Sequence, residues 1–351
     1  MFTRASLFGG WGLNDALRDR AMWHALRIAV AVAGGLVISV ASGSVFPFLA
    51  PMFAAQFLIS TRRPLQFNQA IGMIVLIVVV GQFLVLATSI LGERPVVTAL
   101  LLWLIYFVCF MAQAEAKGGV AIFLILIIAV MIPLLGILQI DLGRSIILVL
   151  IEAAASGALL SWGAHALFPE TGEEPAKPTP QPIASALTHA VLNASVLLGI
   201  VVWCIVDSRF STAIVVPITV ASLLGQMEFA KSRQAAFGLM VVNLLGGIVA
   251  SIAFSLLSLR PEFHFLFLIV FLVALLFGYA AISNAEMEKF WAGALSTCIL
   301  LLGLGISPLP TSTPDSFTTR IGFVAFAIVY TLCATAVLWP IANRPQPSAK
   351  S

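Results

Sequence analysis

Glu152 is the residue that first asks for a chemical explanation. It stands in IILVLIEAAASGALLSW, Ile146 to Trp162, a stretch otherwise suited to hydrocarbon. A carboxylate at bilayer depth costs about 2.5–3.5 kcal/mol on insertion scales, so such a group is kept for function or for a dedicated partner. Low dielectric favours the neutral acid, which gives a group able to load and release a proton. Glu152 is therefore the proton-coupling candidate. Two other readings stay open: a structural pair with Arg144, about 12 Å away along a helix, or direct contact with a substrate. The corresponding position in the second half of the chain, near Ile328, is apolar, so any proton role is asymmetric.

A second group of residues could line a path. VFPFLAPMFAAQFLIS (45–60) carries Pro47 and Pro51, and FSTAIVVPITVASLLGQ (210–226) carries Pro217. Short, proline-interrupted apolar segments in matching places point to a transporter's binding site, because proline frees a backbone carbonyl and kinks or breaks the helix. Gln56, Thr219 and Ser222 lie within two turns of those prolines and add side-chain donors. Asn193, Asn243 and Gln82 also fall inside apolar runs. Interhelical hydrogen bonding is the plain explanation for such residues, and a share in a substrate path is the sharper one.

Single arginines accompany single acids in the loops opposite the termini: Glu93/Arg94, Asp141/Arg144, Asp207/Arg209, Arg260/Glu262 and Asp315/Arg320. They read as local ion pairs, or as an outer surface where Arg144, Arg209 and Arg320 attract an anion. The phenylalanine-rich run EFHFLFLIVFLVALLFGY (262–279) suits lipid contact and packing, or a stacking wall for an aromatic ligand.

Soluble catalytic motifs are missing from the sequence. There is no HExxH, no GxSxG elbow and no Walker A loop, so we expect no enzyme, no cofactor and no metal. Cys109, Cys204, Cys298 and Cys333 fall inside apolar runs without paired spacing, which suggests neither disulfide nor zinc.

The elements that must position these groups are membrane helices. Hydrophobic residues make up 61% of the 351 and charged residues 9%, against about 25% charged in soluble domains. Mean hydropathy is +1.09. Twelve spans are expected, near 25–43, 45–60, 68–91, 96–114, 119–138, 145–168, 187–206, 210–226, 234–259, 263–282, 289–306 and 319–340. With that count, thirteen basic residues, including all the lysines and Arg27, share the side of the termini, and five take the other side. The positive-inside rule then puts both termini in the cytoplasm. The net charge of +3 reflects that topology, and no nucleic-acid partner is implied. Residues 1–24, with Leu13, Leu17, Arg18 and Arg20, suggest an amphipathic helix on the inner membrane face.

FPETGEEPAKPTPQP (168–182) is the one clear linker. It divides the chain into six-helix blocks, 25–168 and 184–341, with a linker at 169–183 and a cytoplasmic tail at 342–351. The blocks correspond: His24-Ala25 with His189-Ala190, Gly34 with Gly199, Arg94-Pro95 with Arg260-Pro261, Ala114-Glu115 with Ala285-Glu286. An even helix number per block makes this a parallel repeat, as in one class of secondary transporters.

The carrying residues FPFLAPMF (46–53), NQAIG (68–72), PLLGILQ (133–139), AHALFP (164–169) and KSRQAAFGLMVVNLLGG (231–247) resemble the fusaric acid resistance and aromatic acid exporter family. The likeness is to its compact branch, usually described as a domain of unknown function. That resemblance implies a bacterial inner-membrane exporter of small aromatic or other organic acids, driven by the proton gradient and working with a periplasmic membrane-fusion adaptor. Larger members carry sizeable soluble cytoplasmic regions, which here shrink to the linker and tails. The expectation is thus an all-α membrane protein of two parallel six-helix repeats. Its partners would be the bilayer, an organic anion, an adaptor and a second copy in a homodimer. A non-transporting scaffold and a passive channel are the competing functions.

Overall fold

With no water to satisfy N–H and C=O groups in a bilayer core, an apolar chain without strand alternation spans as helix. The computed structural model bears this out. It describes residues 9–60, 63–92, 94–115, 119–138, 140–169, 183–206, 215–227, 233–283, 288–307 and, apart from 324 and 332, 322–334. The helices are α1 (Gly9–Ala41), α2 (Leu49–Ser60), α3 (Phe67–Leu91), α4 (Pro95–Ala114), α5 (Gly119–Leu138) and α6 (Ile140–Leu167). They continue as α7 (Ile183–Val206), α8 (Val215–Met227), α9 (Arg233–Leu259), α10 (Phe263–Ser283) and α11 (Glu288–Ile306). The helical residues between 322 and 334 belong to a twelfth, α12. Eight helices among the described residues are long and apolar enough to cross a membrane, and three apolar helices (α2, α8 and α11) are shorter. The chain is an all-α, multi-pass membrane protein.

Local chemistry sets the ends. After α1 the chain turns at Gly43, whose φ of +70° suits a residue without Cβ. Ser44 N–H donates back to Ser39 O at 3.0 Å. Pro95 opens α4, where its missing N–H costs nothing. The expected boundaries agree with the helices to within a few residues at most ends. One difference stands out at the start. The segment 1–24 is expected to lie apart from the first span, yet α1 runs unbroken from Gly9 to Ala41. No proline interrupts 9–41, so the helix simply continues.

The chain divides into two units that do not follow the linker. Unit 1 comprises residues 1–70, 152–175 and 245–311, and unit 2 comprises 71–151, 176–244 and 312–351. In unit 1, α1 packs along α10 and α2, α10 packs on α11, and α11 closes against α2. In unit 2, α7 packs along α4 and α8, α4 packs on α5, and α5 closes against α8. Each unit thus draws helices from both sides of the linker. Hydropathy alone does not carry that information, because it marks which segments enter the bilayer and not which faces meet.

Candidate functional site

In unit 1 the site is built around α2. Its 12 residues make a rod of about 18 Å, well short of a hydrocarbon core of about 30 Å. Pro51 is its third residue. The first-turn N–H groups of a helix have no intrahelical acceptor, so proline is accommodated there. The expectation that Pro51 kinks or breaks a span is therefore corrected: it sits where a helix begins. Nearly all of α2 is buried, from Leu49 to Ala55 and again at Phe57 and Leu58.

Glycines on three neighbours allow that burial. A Cβ added at Gly35 of α1 would lie 3.3 Å from Pro51 Cα. One at Gly157 of α6 would lie 3.1 Å from Ala54 N and 3.2 Å from Ala50 O. One at Gly303 of α11 would lie 2.6 Å from Phe48 Cβ, just before α2. Backbone meets backbone here, the close approach that small residues permit between membrane helices. Gln56, half-buried on α2, donates from Nε2 to Ser296 Oγ of α11 at 3.3 Å. The Ser296 hydroxyl in turn donates to Ala292 O at 2.9 Å.

α1 contributes two polar residues, His24 and Arg27, of which the positive-inside count places Arg27 with the cytoplasmic charges. Arg27 is 0% exposed, and His24, one turn away, is also buried. Arg27 is the sixth residue of the apolar segment Met22–Ala41. Its signal was present in HALRIAVAV, where the arginine is flanked on both sides by span-like residues. An apolar cavity of about 10 Å³ lies elsewhere in the unit, walled by residues such as Val32, Leu36, Ala274 and Cys298. It is barely large enough for one water.

Unit 2 repeats the arrangement around α8, 13 residues long with Pro217 as its third described residue. Residues 207–214, just before it, lie outside the described residues. Thr219 is 3% exposed, and its hydroxyl finds no hydrogen-bond partner among the described residues. Ser222 is half-buried. Gln113 of α4 donates to Gly225 O of α8 at 3.1 Å, beside a glycine whose Cβ would lie 3.1 Å from the same amide nitrogen. Asn193 on α7 and Asn243 on α9 are buried, while Gln82 on α3 is exposed. Tyr106 O–H donates to Ala129 O at 3.0 Å, tying α4 to α5.

Comparison with known protein families, curated proteins and solved structures finds no match.

Glu152 belongs to unit 1 and lies within the apolar segment Ser145–Leu167 of α6. Its side chain is exposed, and among the described residues it takes no hydrogen bond and no ion pair. The buried face of the same helix is small: Ala153, Ala154, Gly157, Ala158, Ser161 and Ala164. Gly157 is the residue that meets α2, so the carboxylate points away from the enclosed helix. Arg209 and Arg320 lie outside the described residues, as does the side chain of Arg144. Gln113 and Ser296 are the polar contacts the sequence reading missed. Nothing in their local sequence marks them, since only packing shows which residue each one meets.

Proposed function

We propose that the chain is a secondary transporter that exports small aromatic or other organic acids across a bacterial inner membrane, driven by the proton gradient. The observation that supports it best is the enclosed short helix α2 of unit 1, which carries Pro51 in its first turn, is too short to span, and presents Gln56 to Ser296 partway along its length. In a transporter, helices that stop within the bilayer leave backbone and side-chain polar groups at binding depth.

The packing partners support a parallel six-helix repeat. Shifting every helix label by six turns the contacts of unit 1 into those of unit 2. In this reading each unit takes the first two helices of one repeat and the fourth and fifth of the other. The buried Arg27 favours an anion, since charges inside membrane helices mark substrate and ion pathways. Glu152 is the proton carrier in this reading, being the acid that falls inside a candidate span among the described residues. Both termini face the cytoplasm by the distribution of lysine and arginine. The periplasmic adaptor rests on the family resemblance alone.

The test is efflux of a panel of radiolabelled aromatic acids from cells expressing the chain, with and without a protonophore. Export that needs the gradient supports transport, and its loss in Glu152→Gln at normal protein level supports the coupling role. Unchanged proton dependence in Glu152→Gln removes that role. If no acid moves and deletion instead dissolves an envelope complex, the scaffold function replaces transport.

A further inference from the structure

We infer that α8 borders a narrow water-filled groove that climbs from the side of the termini to the hydroxyl of Thr219, and that α2 borders a shorter one ending at Gln56. The ligand of both is water, and small uncharged hydrogen-bonding solutes are the class able to follow it. The pairing of the two helices rests on the six-helix repeat proposed above, and the side rests on the topology proposed with it. The groove in unit 2 needs neither.

Two observations carry it. The first is a pattern of burial that the two helices share. Setting Pro51 against Pro217 puts Gln56 against Ser222 and Ile59 against Gly225. In α2 every residue from Leu49 to Leu58 is buried except Gln56, and Ile59 is half-buried. In α8 every residue from Val216 to Leu224 is buried except Ser222, and Gly225 is half-buried. The same strip is left open on both helices, at spacings of three and four that share a face. Its chemistry is polar and uncharged. Ser60 and Gln226 follow Gln56 and Ser222 by four residues, and neither helix contains a charged residue.

The second is Thr219, three residues before Ser222 and on the same face. It is 3% exposed, and its hydroxyl bonds to no described residue. Other helical hydroxyls here turn back on their own helix. Ser251 donates to Gly247 O at 2.9 Å, Ser296 to Ala292 O at 2.9 Å, and the buried Thr331 to Ala327 O at 2.7 Å. Thr219 has the same option in Val215, four residues earlier in α8, and does not take it.

Water is the partner that fits. An enclosed hydroxyl with no partner bears its full desolvation cost, and buried waters satisfy such groups. An ion is disfavoured, since α5, α7 and α8 pack together and contain no acid, lysine or arginine. In α2 the position matching Thr219 is Phe53, 0% exposed, which closes the strip one turn earlier. The rise from Gln226 to Thr219 is about 10 Å.

The experiment uses the full-length chain in membrane vesicles of known orientation, with its four cysteines replaced by alanine. Single cysteines are introduced as Gln56→Cys, Ser222→Cys, Thr219→Cys and Val220→Cys, the last at a buried position off the strip. Each is exposed to silver ion, and the thiols that remain are counted with a fluorescent maleimide in denaturant. Reaction at 56, 222 and 219 is expected to be at least about 10-fold faster than at 220, since thiol reactivity follows access. Equal rates at 219 and 220, or slow reaction at 56 and 222, overturn the inference. Fast reaction from the side opposite the termini upholds the groove and overturns the topology instead. Thr219→Val in the otherwise native chain gives a second reading without cysteines. Loss of a hydroxyl bonded to water is expected to lower the unfolding midpoint. A midpoint raised or unchanged marks a dry, unsatisfied hydroxyl and also overturns the inference.

Discussion

Gln56 and Ser296 are separated by 240 positions in the sequence, yet their side chains meet at 3.3 Å inside unit 1. The bond joins α2 to α11 and fixes the short helix from the side opposite its proline end. Interhelical hydrogen bonds of this kind are worth about 0.6 kcal/mol on average. A double-mutant cycle with Gln56→Leu and Ser296→Ala should return a coupling near that size. Unfolding equilibria in bicelles would measure it, and additivity of the two changes would show that the bond carries no weight.

Gly157 is the tightest test of how α2 is seated. Its missing side chain is what lets α6 approach the backbone at Ala50 and Ala54. Gly157→Leu should lower stability by about 1–3 kcal/mol or more through overpacking. Gly163→Leu, on the open face of the same helix, should leave the isolated chain within about 0.5 kcal/mol of wild type. Thermal unfolding of the monomeric, detergent-solubilised forms distinguishes the two.

Pro51 lies in the first turn of α2, so replacing it should be mild. Pro51→Ala is expected to cost about 1–2 kcal/mol, from added freedom in the unfolded chain and lost ring contacts. Export should persist. A role as a mid-helix kink would instead show as lost export with stability intact.

Arg27→Ala removes a cation that is wholly buried. Truncating a long side chain that is wholly buried leaves a cavity and lost packing, at roughly 2–5 kcal/mol, so folded yield should fall sharply. Arg27→Lys keeps the charge and should restore yield. If Arg27 also selects the anion, Arg27→Lys will fold but export acids with a raised KM. Yield by fluorescence size-exclusion and efflux kinetics read the two effects separately.

Helix placement was legible because hydropathy and length act on each segment alone. The fifth span, for example, is expected at 119–138 and α5 is Gly119–Leu138. Three things were not legible, each for a physical reason. Pro51 looked like an interruption because apolar residues precede it, whereas it lies in the first turn of α2. Arg27 was counted with the loop charges because it follows Arg18 and Arg20 closely, and its burial depends on helices far away in sequence. The pairing of α1 with α10 and of α4 with α7 rests on side-chain shape, and many apolar sequences would satisfy hydropathy equally well.

That pairing has a consequence for biosynthesis. α1 ends at Ala41 and its main neighbour α10 begins at Phe263, so at 5–20 residues per second the ribosome needs on the order of 10–50 s to deliver one to the other. Throughout that interval the face of α1 meant for α10 waits in the membrane without its final neighbour. Neither half of the polypeptide can finish a unit alone. A chain stalled at the linker holds two half-built units, while two fragments cut there and made together contain every helix that each unit needs.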